Sequence, residues 1–214
     1  MTARIAALLL ACTLPAGPLR AQVLQHLSLD AGVFRLHFRS AASGVGETLS
    51  GLAAVGRARF FVGSVSLETS YSQGHLVADT GTAIARDMVD GSAFLAVRTL
   101  SWLALKAGPH LRAYVAPGST ERWVMWEAHA HVDGSIIPGM LDANVEGWMA
   151  VGSAVNVDPG ARGARGGQAG LILRLWRSPL WARLTYVVDQ AKLKNDARTE
   201  TVEAVLFAVG LGGR

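Results

Sequence analysis

Beyond residue 21 the chain alternates. In LALKAGPHLRAYVAP, residues 103 to 117, every second side chain from Leu103 through Leu105, Ala107, Pro109, Leu111 and Ala113 to Val115 is apolar, and the set between them holds Lys106, His110, Arg112 and Tyr114. A period of two puts successive side chains on opposite faces of a strand. The pattern recurs, with Phe61, Gly63, Val65, Leu67, Thr69 and Tyr71 against Ser64, Ser66, Glu68, Ser70 and Ser72, and with Ala143, Val145, Gly147, Met149 and Val151 against Asp142, Asn144, Glu146 and Trp148. It returns in Ala169, Leu171, Leu173 and Leu175 against Gln168, Gly170 and Arg174, and in Ala182, Leu184, Tyr186 and Val188 against Arg183, Thr185 and Asp189. In the last segment Val202, Ala204, Leu206 and Ala208 oppose Thr201, Glu203 and Phe207. No comparable 3.6-residue periodicity competes with it.

What covers the apolar face follows from the bounds of the chain. Residues 1 to 21 carry Arg4, a short apolar run from Ile5 to Ala11 and a small residue, Ala21, at a plausible cut, the form of a secretory signal peptide. The alternative cut before Cys12, in LLAC, would make that cysteine an acylated first residue. Cleavage after Ala21 leaves residues 22–214 as one domain without a thiol, so no disulfide or cysteine-ligated metal enters. The signal holds Arg4 and Arg20 and no acid, so of 20 cations and 16 acids, 18 and 16 remain, too even a balance for a nucleic-acid surface. Half of all residues are hydrophobic and 17% are charged, yet past the signal no run approaches the roughly 20 apolar residues of a membrane helix.

Ten strands are expected, near residues 24–38, 47–58, 60–73, 89–98, 102–115, 120–132, 141–154, 167–176, 181–190 and 200–210, with eight as the alternative count. In the first, Leu27, Leu29, Ala31 and Val33 change phase to Phe34, Leu36 and Phe38, which implies either a bulge or a wrongly assigned register. Short connections follow the second, fourth and eighth strands. Longer polar ones are expected at residues 73–88 and 156–167, the latter carrying Arg162 and Arg165 in a flexible loop. Two short turns, Arg98 to Trp102 and Arg177 to Trp181, each place a tryptophan at the start of a strand, which suits a membrane interface.

These features together resemble a small bacterial outer-membrane β-barrel, over the whole of residues 22–214. The resemblance implies an all-β, closed, antiparallel up-and-down barrel, exported to the outer membrane, in contact with its lipid and lipopolysaccharide. Trp102, Trp181, Tyr71 and Tyr186 are then interface aromatics. The competing architecture is a soluble periplasmic β-sandwich or lipocalin-like binder, in which the apolar face is the core.

In a barrel the opposite face lines the lumen, assigning Glu68, Arg98, Lys106, His110, Arg112, Glu121, Glu127, His129, His131, Asp142, Glu146, Arg174, Arg183, Asp189 and Glu203 to it. With eight to ten strands the interior is just wide enough for side chains to fill, so these groups are expected to pair as a charge network that plugs the barrel. EAHAHVD puts Glu127, His129, His131 and Asp133 on one face, too short a pattern to make a metal site without ligands from a neighbouring strand. Two Ser/His sets suggest nucleophilic chemistry, His26 with Ser28 and Asp30, and Ser72 with His75 and Asp79. Neither outweighs a structural reading, and no GxSxG, phosphate loop or zinc-helix motif occurs. The expected function is a non-enzymatic barrel, free of cofactors and metals, with a structural or adhesive role carried by loops whose ligand is unknown; the alternatives are an outer-membrane lipid hydrolase or protease and a narrow channel.

Overall fold

The computed structural model describes residues 26–42, 45–79, 83–175 and 178–212. Residues 1–21, read from the sequence as a signal peptide, and Arg177 lie outside them. Ten antiparallel strands close into one barrel in chain order: β1 (Leu27–Ala42), β2 (Val45–Val62), β3 (Val65–Ala78), β4 (Arg86–Leu100), β5 (Leu103–Ala116), β6 (Ser119–Ile137), β7 (Leu141–Val155), β8 (Ala161–Arg174), β9 (Leu180–Leu193) and β10 (Thr199–Gly212). Closure is made by β1 and β10, paired from Ser28↔Gly212 to Ala41↔Thr199.

Most strands are longer than the alternation predicts, β8 and β9 at the end opposite the described chain ends and β2 and β6 chiefly at the end that carries them. At the end opposite the described chain ends the described connections are short, at residues 117–118, 156–160 and 194–198. The expected loops at 73–88 and 156–167 are largely strand, and Arg162 and Arg165 belong to β8. The reason is that a polar or glycine-rich segment still pairs in a ladder when its side chains need no lipid.

The outer surface falls into two zones. From the end that carries the described chain ends, the outward residues are uncharged on all ten strands, for example Leu29, Ala31 and Val33 on β1, Leu105, Pro109 and Leu111 on β5, and Val205, Phe207 and Val209 on β10. Beyond a line through Arg35, Gln73, Asp87, Arg122, Arg165, Lys192 and Glu203, most outward residues are polar, with Val77 and Val115 as apolar exceptions. Inside, polarity inverts at about the same level. The bulge expected in β1 is absent, since its register with β2 runs unbroken from Leu27↔Phe60 to Ala42↔Val45. The change of phase is chemical: below the line the apolar residues face outward, and above it Phe34, Leu36 and Phe38 turn inward while Arg35, His37 and Arg39 face out.

The same inversion corrects β10. Val202, Ala204, Leu206 and Ala208 are buried inside the barrel, and Glu203 stands on the outer face, where it accepts a hydrogen bond from Arg39. Trp181 is also corrected, being inside and only 8% exposed. It lies directly across from Gly210, and a Cβ at Gly210 would fall 2.3 Å from its ring. Trp148 covers its cross-strand partner Gly166 in the same way. Each ring fills the space that a missing side chain leaves in the wall. A real bulge occurs in β7 at Val151, where pairing with β6 steps from Trp126↔Gly152 to Glu127↔Ala150. Pro109 interrupts the β4–β5 ladder between Ser92↔His110 and Leu95↔Ala107 without shifting its register.

Gly210→Val is expected to displace Trp181 and destabilise the barrel by about 1–3 kcal/mol. A lower urea midpoint with a red-shifted tryptophan emission checks this.

Candidate functional site: the lumen network and the external rim

Residues two apart on a strand share a face about 7 Å apart, a spacing that long polar side chains bridge. Glu127, His129, His131 and Asp133 are such a row on β6, and the neighbouring strands bring Asp90, His110 and Glu146 to it. Glu146 lies directly opposite His131. Gly108 lies directly opposite Glu127, so no side chain blocks His110 from reaching that carboxylate diagonally.

The result is a chain in which carboxylate and imidazole alternate. His110 donates from Nε2 to Asp90 at 2.8 Å and from Nδ1 to Glu127 at 2.8 Å. His129 joins Glu127 at 3.1 Å to Glu146 at 2.7 Å, and His131 joins Glu146 at 2.8 Å to Asp133 at 3.7 Å. His110 and His129 each lie within hydrogen-bond distance of two carboxylates, whereas His131 has one, Glu146, at that distance. Lys106 donates to Glu68 at 2.8 Å and Glu146 at 3.0 Å, and Arg112 links Asp90 at 2.9 Å to Asp189 at 2.7 Å. His129 is further held between the rings of Phe94 and Trp148, 4.4 and 5.6 Å away.

Toward the end bearing the described chain ends, the lumen widens into a cavity of about 730 Å³. Its wall carries Arg183 paired with Asp30 at 2.5 Å, Arg59 with Glu68 at 2.8 Å, Arg174 with Asp142 at 2.7 Å and Arg98 with Asp133 at 3.1 Å. Toward the other end an apolar plug crosses the lumen, built from Leu36, Phe38, Leu49, Leu76, Met88, Tyr114, Trp123 and Met125. Phe38 and Tyr114 meet edge to face at 5.0 Å. Above the plug, Arg86 pairs with Glu47 at 2.6 Å, and Arg198 bridges Glu121 and Glu200. The lumen is therefore polar below, apolar above and capped by ion pairs.

Of the expected lumen residues, Glu203 alone lies on the outer face. Among the described residues no cluster has the makings of a metal site, and the carboxylates that could join His129 and His131 on a cation are already bonded to them. Trp102 stands exposed in the β4–β5 turn, and Tyr71 and Tyr186 are on the outer face. Trp126, exposed on the same apolar face as Val124, was recoverable from the alternation of β6 but was not among the expected aromatics. The two proposed Ser/His sets do not assemble: His26 bonds the Phe61 carbonyl, and Ser72 points into the barrel while His75 points out to Asp87.

The external rim holds the residues that the sequence did not single out together. His37 on β1 is directly across from Ser50 on β2, and Asp79, just past β3, closes on both.

No protein-family model matches the chain, and no curated protein matches it in sequence. Solved structures match its shape. The translocator domain of the autotransporter NalP from Neisseria meningitidis superposes with a TM-score of 0.50 at 12% identity, covering 88% of each chain. Neisserial surface protein A gives 0.41 at 13% identity, covering 87% of this chain and 97% of that one. A COG4313 outer-membrane channel from Pseudomonas putida F1 gives 0.46 at 10%, covering 87% and 96%. With its closed ten-strand topology and uncharged outer belt, this chain has the fold of the bacterial outer-membrane β-barrels.

Removing one acid from the network strands buried cations. Glu146→Gln, which disturbs Lys106, His129 and His131 together, is expected to cost about 3–5 kcal/mol, against about 0–1 kcal/mol for Arg98→Ala at the half-exposed mouth. Urea titration of the refolded barrels measures the difference.

Proposed function

We propose that this protein is a sealed barrel of the outer membrane whose role is structural and interactive at its external rim, not conductive. The apolar plug carries this reading. Leu36, Phe38, Leu49, Leu76, Trp123 and Met125 are each at most 2% exposed, and a hydrated ion crossing them would give up its water without compensation. The charge network below neutralises itself by pairing and leaves the opening toward the periplasm, the side on which barrels of this fold keep their chain ends.

Interaction then falls to the strand tops, because the external connections are short. Arg35, Arg122, Arg165 and Lys192 face outward at or above the edge of the uncharged belt, and none has an acid partner among the described residues. Lipid phosphates sit at that depth, and lipopolysaccharide is the partner that this arrangement fits.

In planar bilayers the purified barrel is expected to give no discrete conductance steps, and the double variant Trp123→Ala, Met125→Ala to produce them. Steady openings of the unmodified protein would reject the sealed reading in favour of a channel. Reversing charge with Arg165→Glu and Lys192→Glu is expected to reduce the lipopolysaccharide that co-purifies, measured by mass spectrometry, with heat-modifiable gel mobility unchanged.

A further inference from the structure

We propose that the cavity at the end bearing the described chain ends binds a small anionic solute, whose phosphate or carboxylate group is held by Arg57 and the hydroxyls of Ser70, Ser72 and Ser92. Register builds the seat. Arg57 on β2 is directly across from Ser70 on β3, Ser70 is directly across from Ser92 on β4, and Ser72 follows Ser70 on the same face. All four residues line the cavity, whose volume of about 730 Å³ is that of a small-molecule site.

Charge selects the ligand. Arg59, Arg98, Arg174 and Arg183 of the same wall each hold a carboxylate, whereas the Arg57 side chain makes no hydrogen bond or ion pair among the described residues. Asp30, directly across from Arg57 on β1, is committed to Arg183 at 2.5 Å, and Arg57 and Arg59 both repel that same guanidinium. A cation kept without an acid among like charges in a confined lumen is stabilised by an anion that reaches it. The serines supply further donors. Ser70 and Ser92 bond each other at 2.8 Å, which uses one hydroxyl proton and leaves the other to donate. Ser72 is 6% exposed, lines the cavity and has no side-chain partner among the described residues. A guanidinium flanked by hydroxyl donors is the chemistry that recognises phosphate and carboxylate oxygens. Asp90, the carboxylate across from Ser72, is already bonded by His110 and Arg112 and does not oppose an incoming anion unaided. The apolar plug closes the lumen above the seat, so the solute enters and leaves by the one mouth.

This inference is independent of whether the plug excludes ions, so the bilayer recordings and the anion titration can fail separately. The full chain, refolded in neutral detergent without lipopolysaccharide, would be titrated at low salt by isothermal calorimetry with glycerol 3-phosphate in one arm and glycerate in the other, glycerol serving as the uncharged control. Saturable binding of either anion, with none of glycerol, supports the proposal, and the arm that binds more tightly assigns the anionic group. Arg57→Gln, still heat-modifiable, is expected to weaken that binding at least about 10-fold and Ser72→Ala about 3-fold, while Arg122→Gln on the outer wall leaves it unchanged. Absence of saturable binding of both anions by the folded unmodified chain, glycerol bound as tightly as the anions, or full affinity in folded Arg57→Gln would overturn it. Should Arg57→Gln fail to fold, full affinity in Ser72→Ala would overturn it instead.

Discussion

The structure depends on one constraint: inside hydrocarbon, a backbone N–H or C=O has no partner except another part of the chain, and each one left alone costs several kcal/mol. The β1–β10 ladder meets it by removing both sheet edges. Once the sheet is closed, every strand has one face toward lipid and one toward a narrow lumen, and the alternation in sequence follows from that geometry. Even Pro109, which lacks a donor, is accommodated by interrupting one ladder while its register continues on both sides.

An uncharged outer belt forces the polar residues inward, where they are too crowded to stay hydrated. Desolvating an ion costs more than a single pair returns unless the remaining lone pairs and protons are also bonded. The lumen answers with shared partners. Glu146 accepts from Lys106, His129, His131 and Gln168, and Asp90 accepts from both His110 and Arg112. Above them the solution changes kind. With polar side chains outside and apolar ones inside, the upper barrel is packed like a soluble β-protein, and the plug of Trp123, Phe38 and Leu49 is its core.

That change of kind decides what could be read from sequence. Lys106, His110, Arg112 and the row from Glu127 to His131 were legible because their strands alternate in one phase through the belt. The rule behind that reading, apolar toward lipid, holds only where there is lipid. In β10 it inverted the assignment of Glu203 against Val202 and Ala204, because these residues lie above the belt, and in β1 it turned the same transition into a bulge. Trp181 was misplaced for another reason: only the register shows that Gly210 faces it and leaves room inside the wall. His37, Ser50 and Asp79 are separated by 13 and 29 residues, and no spacing rule links them until β1 and β2 are paired.

The line of inverted polarity also fixes how deeply the barrel sits. A shift of one residue pair toward the periplasm, about 7 Å along a strand, would draw Arg35, Arg165 and Lys192 toward hydrocarbon, and the opposite shift would expose Val33, Leu52 and Val205 to water. A cation on the lipid face costs about 2–4 kcal/mol at the midplane and falls toward zero at the interface. Opposed penalties on many strands therefore define a narrow minimum, and no single residue is needed to set it. Ser50 and His37 lie one residue pair above that line on two adjacent strands. Their depth is thus held by the whole circumference of the barrel.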